Sequence, residues 1–406
     1  MRVLLFTGKG GVGKTTTAAA TATLGALRGL RTLVLSTDAA HTLADTFDAA
    51  VGPDPTPVDD SLYVQQVDAQ RLFERSWGEV QGYLLRLLGT AGVDALAAEE
   101  LTVLPGAEEV LALLELRAQA RSGEWDLIVV DCAPTAETLR LLALPEVLRW
   151  YVGRVMPSDR RLVRGLAPAL GRISGVPLPK DDVVEAVARL SAELAEVRDL
   201  LTDESSSVRL VLTPESVVVA EARRALTRLS LYGYRVDGVV ANRVFPFEGA
   251  DAWRAQWAAA QQVQLADVEA SFRGLPVWQA AYRPCEPLGM EALAHLATGA
   301  YGDDDPLAVR PVPVPLAVRE SGRGWVLTLA LPFAQRGEVE LSRRGDDLVV
   351  TVGAHRRVLA LPAALARAEV SGAALRDGEL RVRFRRARVA QPVAAGTTTG
   401  GTEAAS

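Results

Sequence analysis

The chain has 406 residues, 49% of them hydrophobic, and a formal net charge of −6. Chains much above about 300 residues divide into separate cores, so two domains are expected. The acidic balance argues against a protein that holds nucleic acid by unspecific phosphate neutralisation, and no apolar run approaches the roughly twenty residues of a membrane helix.

Met1 to Phe6 leads straight into a glycine loop where a signal peptide would carry a cleavage site, so a cytoplasmic location is expected. Cys132 and Cys285 form no C-x-x-C pair. Neither a disulfide framework nor a cysteine-based zinc site is indicated, and both read as small buried hydrophobes.

Residues 2–6 read as a short buried strand, followed by a glycine turn and a Thr/Ala-rich helix to Arg28. Further strands are predicted at 31–36, 125–131, 208–213 and 236–242, separated by helical stretches. That alternation predicts an α/β fold with a mostly parallel sheet covered on both faces, and the Gly-rich turn Gly8–Gly13 between its first strand and helix makes it one of P-loop NTPase type. Between the second and third strands lie about ninety residues, more than one crossover needs. Apolar residues recur at helical spacing over 71–88, 107–120 and 147–201, which predicts an inserted helical subdomain (71–120 and 147–201). Such a subdomain serves core packing, dimer contact or a groove for a hydrophobic client.

The first domain is placed at 1–302, because the composition changes there. Asp303 to Asp305, followed by Pro306, Pro311, Pro313 and Pro315, predicts an extended, semi-rigid linker over 303–315. Short alternating runs at 325–331, 339–341, 348–352, 358–361 and 380–384, with turns at Asp346-Asp347 and Asp377-Gly378, predict a small all-β sandwich over 316–388. The Gly/Thr/Ala-rich tail, 389–406, is expected to be disordered.

The chemistry concentrates near the start. Gly8-Lys9-Gly10-Gly11-Val12-Gly13-Lys14-Thr15 satisfies the phosphate-loop pattern and lies between a strand and a helix. Its glycines let successive N–H groups turn inward around phosphates, and the helix N-terminus adds positive potential. Lys14 is expected to reach the β- and γ-phosphates of ATP, Thr15 to bind Mg²⁺ through its hydroxyl, and Thr16 to donate to the α-phosphate. Only three of the 44 basic residues are Lys, at 9, 14 and 180, so two of three fall in this loop. A compact ammonium fits a tight phosphate cradle where a planar guanidinium does not. Lys9 cannot easily turn back onto phosphates held by its own loop, but can reach nucleotide bound by a facing copy, which implies a homodimer.

Asp38 follows the second strand at the edge where ligands of such sheets bind, and is the candidate to orient the attacking water. His41, three residues on, reads as a structural or switch residue. Asp131 ends an apolar strand and is expected to hold Mg²⁺ through a water. Cys132-Ala133-Pro134-Thr135 forms a loop able to report on the γ-phosphate, with Pro134 and Thr135 as switch candidates.

These segments resemble the family of the arsenical-pump-driving ATPase and of the ATPase that delivers tail-anchored membrane proteins. The resemblance covers 1–302 and rests on Lys-Gly-Gly-Val-Gly-Lys-Thr-Thr (9–16), Ser-Thr-Asp-x-Ala-His-x-Leu-x-Asp-x-Phe (36–47) and Asp-Cys-Ala-Pro-Thr-x-x-Thr-Leu-Arg (131–140). It implies that Lys9 crosses a dimer interface and that Asp38 activates water in switch I, with 131–140 as switch II. It further implies that Asn242 reads adenine with help from Pro276 and Val277. The chain departs from the family at Ala39, where Pro is usual, and at Ala136-Glu137, where Gly-His is common. The zinc-bridging C-x-x-C pair and the metalloid-binding cysteines are absent, which favours a zinc-free homodimer. Residues 312–386 resemble an α-crystallin (small heat-shock) domain, notably in Leu375-Arg-Asp-Gly-Glu-Leu-Arg-Val382.

The function expected is a nucleotide-switched ATPase acting as a chaperone or targeting factor for hydrophobic or membrane-protein clients. Alternatives are a transporter-coupled ATPase and a spatial-organisation ATPase. Asp38→Asn should still bind ATP with Mg²⁺ and hydrolyse it at least about 10²-fold more slowly in a phosphate-release assay; near-normal turnover would leave the water without an activator.

Overall fold

The computed structural model describes residues 1–37, 42–68, 107–132, 181–312, 314–322 and 324–386. An eight-stranded sheet organises the first three hundred. In chain order its elements are β1 (Arg2–Thr7), α1 (Lys14–Leu27), β2 (Thr32–Ser36), α2 (Thr42–Phe47), β3 (Thr56–Asp59), β4 (Leu62–Gln66), α3 (Ala107–Ser122), β5 (Leu127–Asp131), α4 (Asp181–Thr202), β6 (Ser206–Leu212), α5 (Ser216–Tyr232), β7 (Val236–Val244), α6 (Ala252–Ser271), β8 (Val277–Ala281) and α7 (Gly289–Tyr301). The spatial order is β3-β4-β2-β5-β1-β6-β7-β8, parallel except for the edge pair β3 and β4. Continuous apolar runs such as Leu-Ile-Val-Val in β5 are buried residue after residue, as expected of strands covered on both faces. The Ala-rich helix α1 presents Ala18, Ala19, Ala22 and Ala26 to the core, and its Thr21 hydroxyl meets the Tyr301 hydroxyl of α7 at 2.6 Å.

The structure adds to three sequence expectations. First, β3, β4 and β8 are additional strands. Residues 56–66 carry Pro57 and few apolar residues, and Val-Trp-Gln-Ala-Ala in β8 alternates buried and exposed positions, so neither had the solid apolar signal of the central strands. Second, the described parts of the helical insertions are layers of the main domain. Leu113 and Leu116 of α3 and Val197 and Leu201 of α4 join the sheet's core, and Arg117 binds Glu193 and Glu196 across the two helices. The remainder of 71–120 and of 147–201 lies outside the described residues, as does the tail beyond Arg386.

Third, the semi-rigid linker is clamped onto the first domain. Asp305 pairs with Arg28, Asp304 accepts from Arg310 at 2.6 Å and from the Trp278 indole at 2.9 Å, and Leu307 is buried in the main core. The Pro306 carbonyl accepts from Arg209 at 2.7 Å. Arg209 is itself completely buried on β6 and pairs with the buried Asp237 at 2.9 Å, which also takes Arg2 at 2.8 Å. The Arg209 guanidinium lies 4.5 Å from the Trp278 ring centroid. Carboxylate, aromatic face and carbonyl together compensate a charge that burial alone would penalise heavily.

A second domain follows. Strands β9 (Leu316–Ser321), β10 (Gly324–Ala330), β14 (Ala368–Arg376) and β15 (Glu379–Arg386) form one antiparallel sheet, in the order β14-β15-β10-β9. β11 (Val339–Arg344), β12 (Asp347–Val352) and β13 (His355–Ala360) form the other, and α8 (Ala363–Ala366) connects them. β9 and β14 were not anticipated, because their exposed positions dilute the alternation. The sandwich core, including Leu327, Leu329, Val350, Leu380 and Val382, also takes in Leu231 from the end of α5. Buried Arg357 donates to the Leu231 carbonyl, Thr227 donates to the Pro332 carbonyl, and Phe333 packs on Phe272.

Asp237→Asn leaves two buried guanidinium groups without a full counter-charge. We expect it to destabilise the first domain by about 3 kcal/mol, read as a lowered urea midpoint; an unchanged midpoint would show that the buried triad adds nothing to stability.

Candidate functional site

The loop between β1 and α1 is wedged between two neighbouring strands. A Cβ on Gly8 would lie 2.1 Å from the Val211 carbonyl oxygen of β6, and one on Gly13 would lie 2.3 Å from the Asn242 amide nitrogen of β7. Gly13 also holds φ 90°, a left-handed conformation that glycine adopts without strain, and it caps α1. The Asn242 amide donates to the Val12 carbonyl at 2.9 Å, tying β7 to the loop. Lys14, first residue of α1, is only 8% exposed and makes no hydrogen bond or ion pair with a described residue. A buried ammonium with no hydrogen-bonded or ion-paired partner among the described residues favours an anion in the loop.

Asp131, 1% exposed, lies at the end of β5, directly beside β1, with Phe6 as its register partner. Its Oδ2 accepts from the Thr15 hydroxyl at 2.7 Å. Two hard oxygen donors meet there, a set suited to Mg²⁺. The Thr37 amide donates to the Asp131 carbonyl at 3.0 Å, so β2 delivers the residue before Asp38 to the same place. Asp38, His41, Pro134 and Thr135 lie outside the described residues. Buried beside Asp131, the Cys132 thiol is pushed up to about 12, mainly by loss of hydration and then by the carboxylate's charge.

Two cavities flank the loop. One, of about 700 Å³, is lined by Gly13, Thr16, Asn242, Tyr282, Arg283 and Pro284. The other, of about 770 Å³, lies on the side of Lys9, Gly10 and Gly11, with Glu215, Trp257 and Gln261 opposite. The structure thus brings together Gly8 to Thr16, Asp131 and Asn242. It does not bring Pro276 and Val277 to them: both sit where β8 begins, with Val277 in register with Val239, whereas the loop faces the strand's far end. The residues that β8 contributes are Ala281 to Pro287.

The sequence offered one signal for that loop, the paired prolines Pro284 and Pro287 after a short apolar run. Without recognising β8 as a strand, it had no anchor. Cys285 lies in this loop and is exposed, contrary to the reading of both cysteines as buried.

The family model for anion-transporting ATPases matches residues 1–302, and a model for the HSP20-like domain found in those ATPases matches 322–384. The chain belongs to the anion-transporting ATPase family. Its first domain has that family's large, mostly parallel sheet, and the second corresponds to the family's small antiparallel domain. A relative from Prosthecochloris vibrioformis, provisionally named an arsenical pump-driving ATPase, is 37% identical over 95% of this chain and 96% of its own. One from Aquifex aeolicus with a similar provisional name is 32% identical over 94% of this chain and 99% of its own. A Trypanosoma cruzi protein named as an ATPase ASNA1 homolog is 27% identical over 71% of this chain and 88% of its own. Family membership makes the chain an ATPase, and thus a user of nucleotide. Among the described residues no helix is long and apolar enough to cross a membrane.

Exposed Cys285 on the wall of the 700 Å³ cavity and buried Cys132 should differ in reactivity. Maleimide should label one thiol per native chain, at Cys285, and ATP should slow that labelling several-fold; labelling indifferent to nucleotide would remove this cavity from the site.

Proposed function

We propose that this family member is a Mg²⁺-dependent ATPase working as a nucleotide-switched homodimer, and that it acts as a chaperone or targeting factor for hydrophobic or membrane-protein clients. The observation that carries the enzymatic part is the Thr15–Asp131 hydrogen bond next to buried Lys14. Thr15 and Asp131 would hold Mg²⁺, which supplies charge neutralisation on the β- and γ-phosphates. The glycine loop orients the phosphates through its N–H groups, Lys14 neutralises the charge that develops on the transferred phosphoryl group, and Asp38 orients the attacking water. Lys9 is exposed on the outer side of the loop, a location that supports contact with nucleotide held by a second copy.

The switch has a physical route to the second domain. Helix α5 begins at Ser216, on the wall of the Lys9 cavity, and ends with Leu231 inside the sandwich core. One helix of 17 residues, about 25 Å long, therefore links the two. A displacement at its first turn, once a partner closes over Lys9, moves the surface on which the sandwich is seated.

The names of the full-length relatives favour a second reading, an ATPase that drives a membrane transporter. It predicts that arsenite or antimonite stimulates phosphate release; the client-handling reading predicts stimulation by an exposed hydrophobic segment and indifference to metalloid.

Lys9→Ala should bind ATP within about twofold of the wild type, yet hydrolyse it more slowly and lose ATP-dependent dimerisation in light scattering. Normal dimerisation of that variant would sink the cross-interface role.

A further inference from the structure

The end of β7 contains a conformational anomaly that the phosphate-binding machinery does not use. Pairing of β7 with β8 slips between Ala241 and Val244, and within the slip Arg243 adopts φ +57°. A side chain other than glycine costs on the order of 1 kcal/mol there, so the surroundings must impose it. They do so with three hydrogen bonds. The Arg243 amide donates to the Asn242 side-chain oxygen at 2.9 Å, Gln261 of α6 donates to the Arg243 carbonyl at 3.1 Å, and the Gln261 oxygen accepts from the Phe245 amide at 2.7 Å. Gln261 is buried, at 7% exposure, and thus brackets the bulge from below.

The bulge throws the Arg243 side chain out of the sheet onto the ridge that borders both cavities beside the loop. Three arginines line the cavity that contains Gly13 and Thr16. Arg254 is tied to Asp251 and Arg283 to the His295 carbonyl, whereas the Arg243 guanidinium makes no hydrogen bond or ion pair with a described residue. Tyr282 and Pro284 line the same cavity, and Phe245 stacks on Tyr282 with ring centroids 5.0 Å apart. A planar cation with no polar partner among the described residues, in one cavity with these flat apolar groups, suits a planar aromatic ligand.

We infer that Arg243 is a nucleotide-specificity residue whose guanidinium packs on the nucleobase of ATP, held out for that purpose by the strained bulge that Asn242 and Gln261 stabilise. This rests on the nucleotide-binding reading of the loop. The phosphates belong to Lys14 and the loop amides, so Arg243 is assigned to the base rather than to the phosphate tail.

The backbone supplies a test that separates function from folding. Glycine is at ease at φ +57°, so Arg243→Gly keeps the bulge and removes only the side chain. Calorimetric titration of the full chain with ATP and Mg²⁺ should show affinity weakened about tenfold. Affinity for inorganic tripolyphosphate should stay within twofold of the wild type, and the melting temperature should hold or rise. Arg243→Lys, which keeps the charge without the planar face, should recover less than half of the lost binding energy. Three results would overturn the assignment: ATP affinity within twofold of the wild type, an equal loss for tripolyphosphate, or a melting temperature lowered by several degrees. A wild-type chain that binds neither ATP nor tripolyphosphate would instead remove the nucleotide reading, and this inference with it.

Discussion

The strands on either side of the glycine loop leave it no room for a side chain at its two ends. Gly8 is pressed on the Val211 carbonyl of β6, and Gly13 on the Asn242 amide of β7. That squeeze fixes where α1 begins, and therefore where Lys14 and Thr15 point. Once α1 is fixed, its Thr15 meets Asp131 from the adjacent strand, and the alanine-lined body of the helix admits α7 close enough for the Thr21 and Tyr301 hydroxyls to hydrogen-bond. The site thus follows from strand order: β5, β1, β6 and β7 are neighbours, and each contributes one group at the same end.

The same sheet carries the second domain's anchor. Arg209 and Asp237 form a buried ion pair on β6 and β7, and Arg209 continues to the Pro306 carbonyl, so the chain leaving α7 is held before it enters the sandwich. A buried ion pair is poor evidence for stability by itself, since hydrophobic packing can replace it. Its value here is positional: it defines the path by which the second domain starts. The domain is then held a second time through Leu231, Thr227 and Phe272.

The sequence made the loop, the central strands and the sandwich legible, because each rests on a local signal: glycine spacing, solid apolar runs, or alternation with tight turns. Asp131 was singled out for the same reason, at the end of an uninterrupted apolar strand, and the structure sets it beside Thr15. What stayed hidden depended on partners far away in the chain. β8 became a strand by pairing with β7, and only then did Tyr282 to Pro287 come to the cavity while Pro276 and Val277 were left at the far end. Arg243 was likewise hidden, since nothing local distinguishes an arginine at a bulge from one within a strand. The linker read as extended from its prolines, but the aspartates before them form the contacts that clamp it. For Asp38 and the rest of both switch segments, the sequence motifs remain the basis of the assignment.

The account rests on Lys14 and the Thr15–Asp131 pair acting together on a Mg²⁺-bound nucleotide. The most direct test is phosphate release from ATP by the purified full chain, with Mg²⁺ and with excess EDTA, for the wild type and for Lys14→Ala. The account predicts hydrolysis that needs Mg²⁺ and falls at least about 10²-fold in the variant. Turnover that is indifferent to Mg²⁺, or undiminished without the lysine, would contradict it.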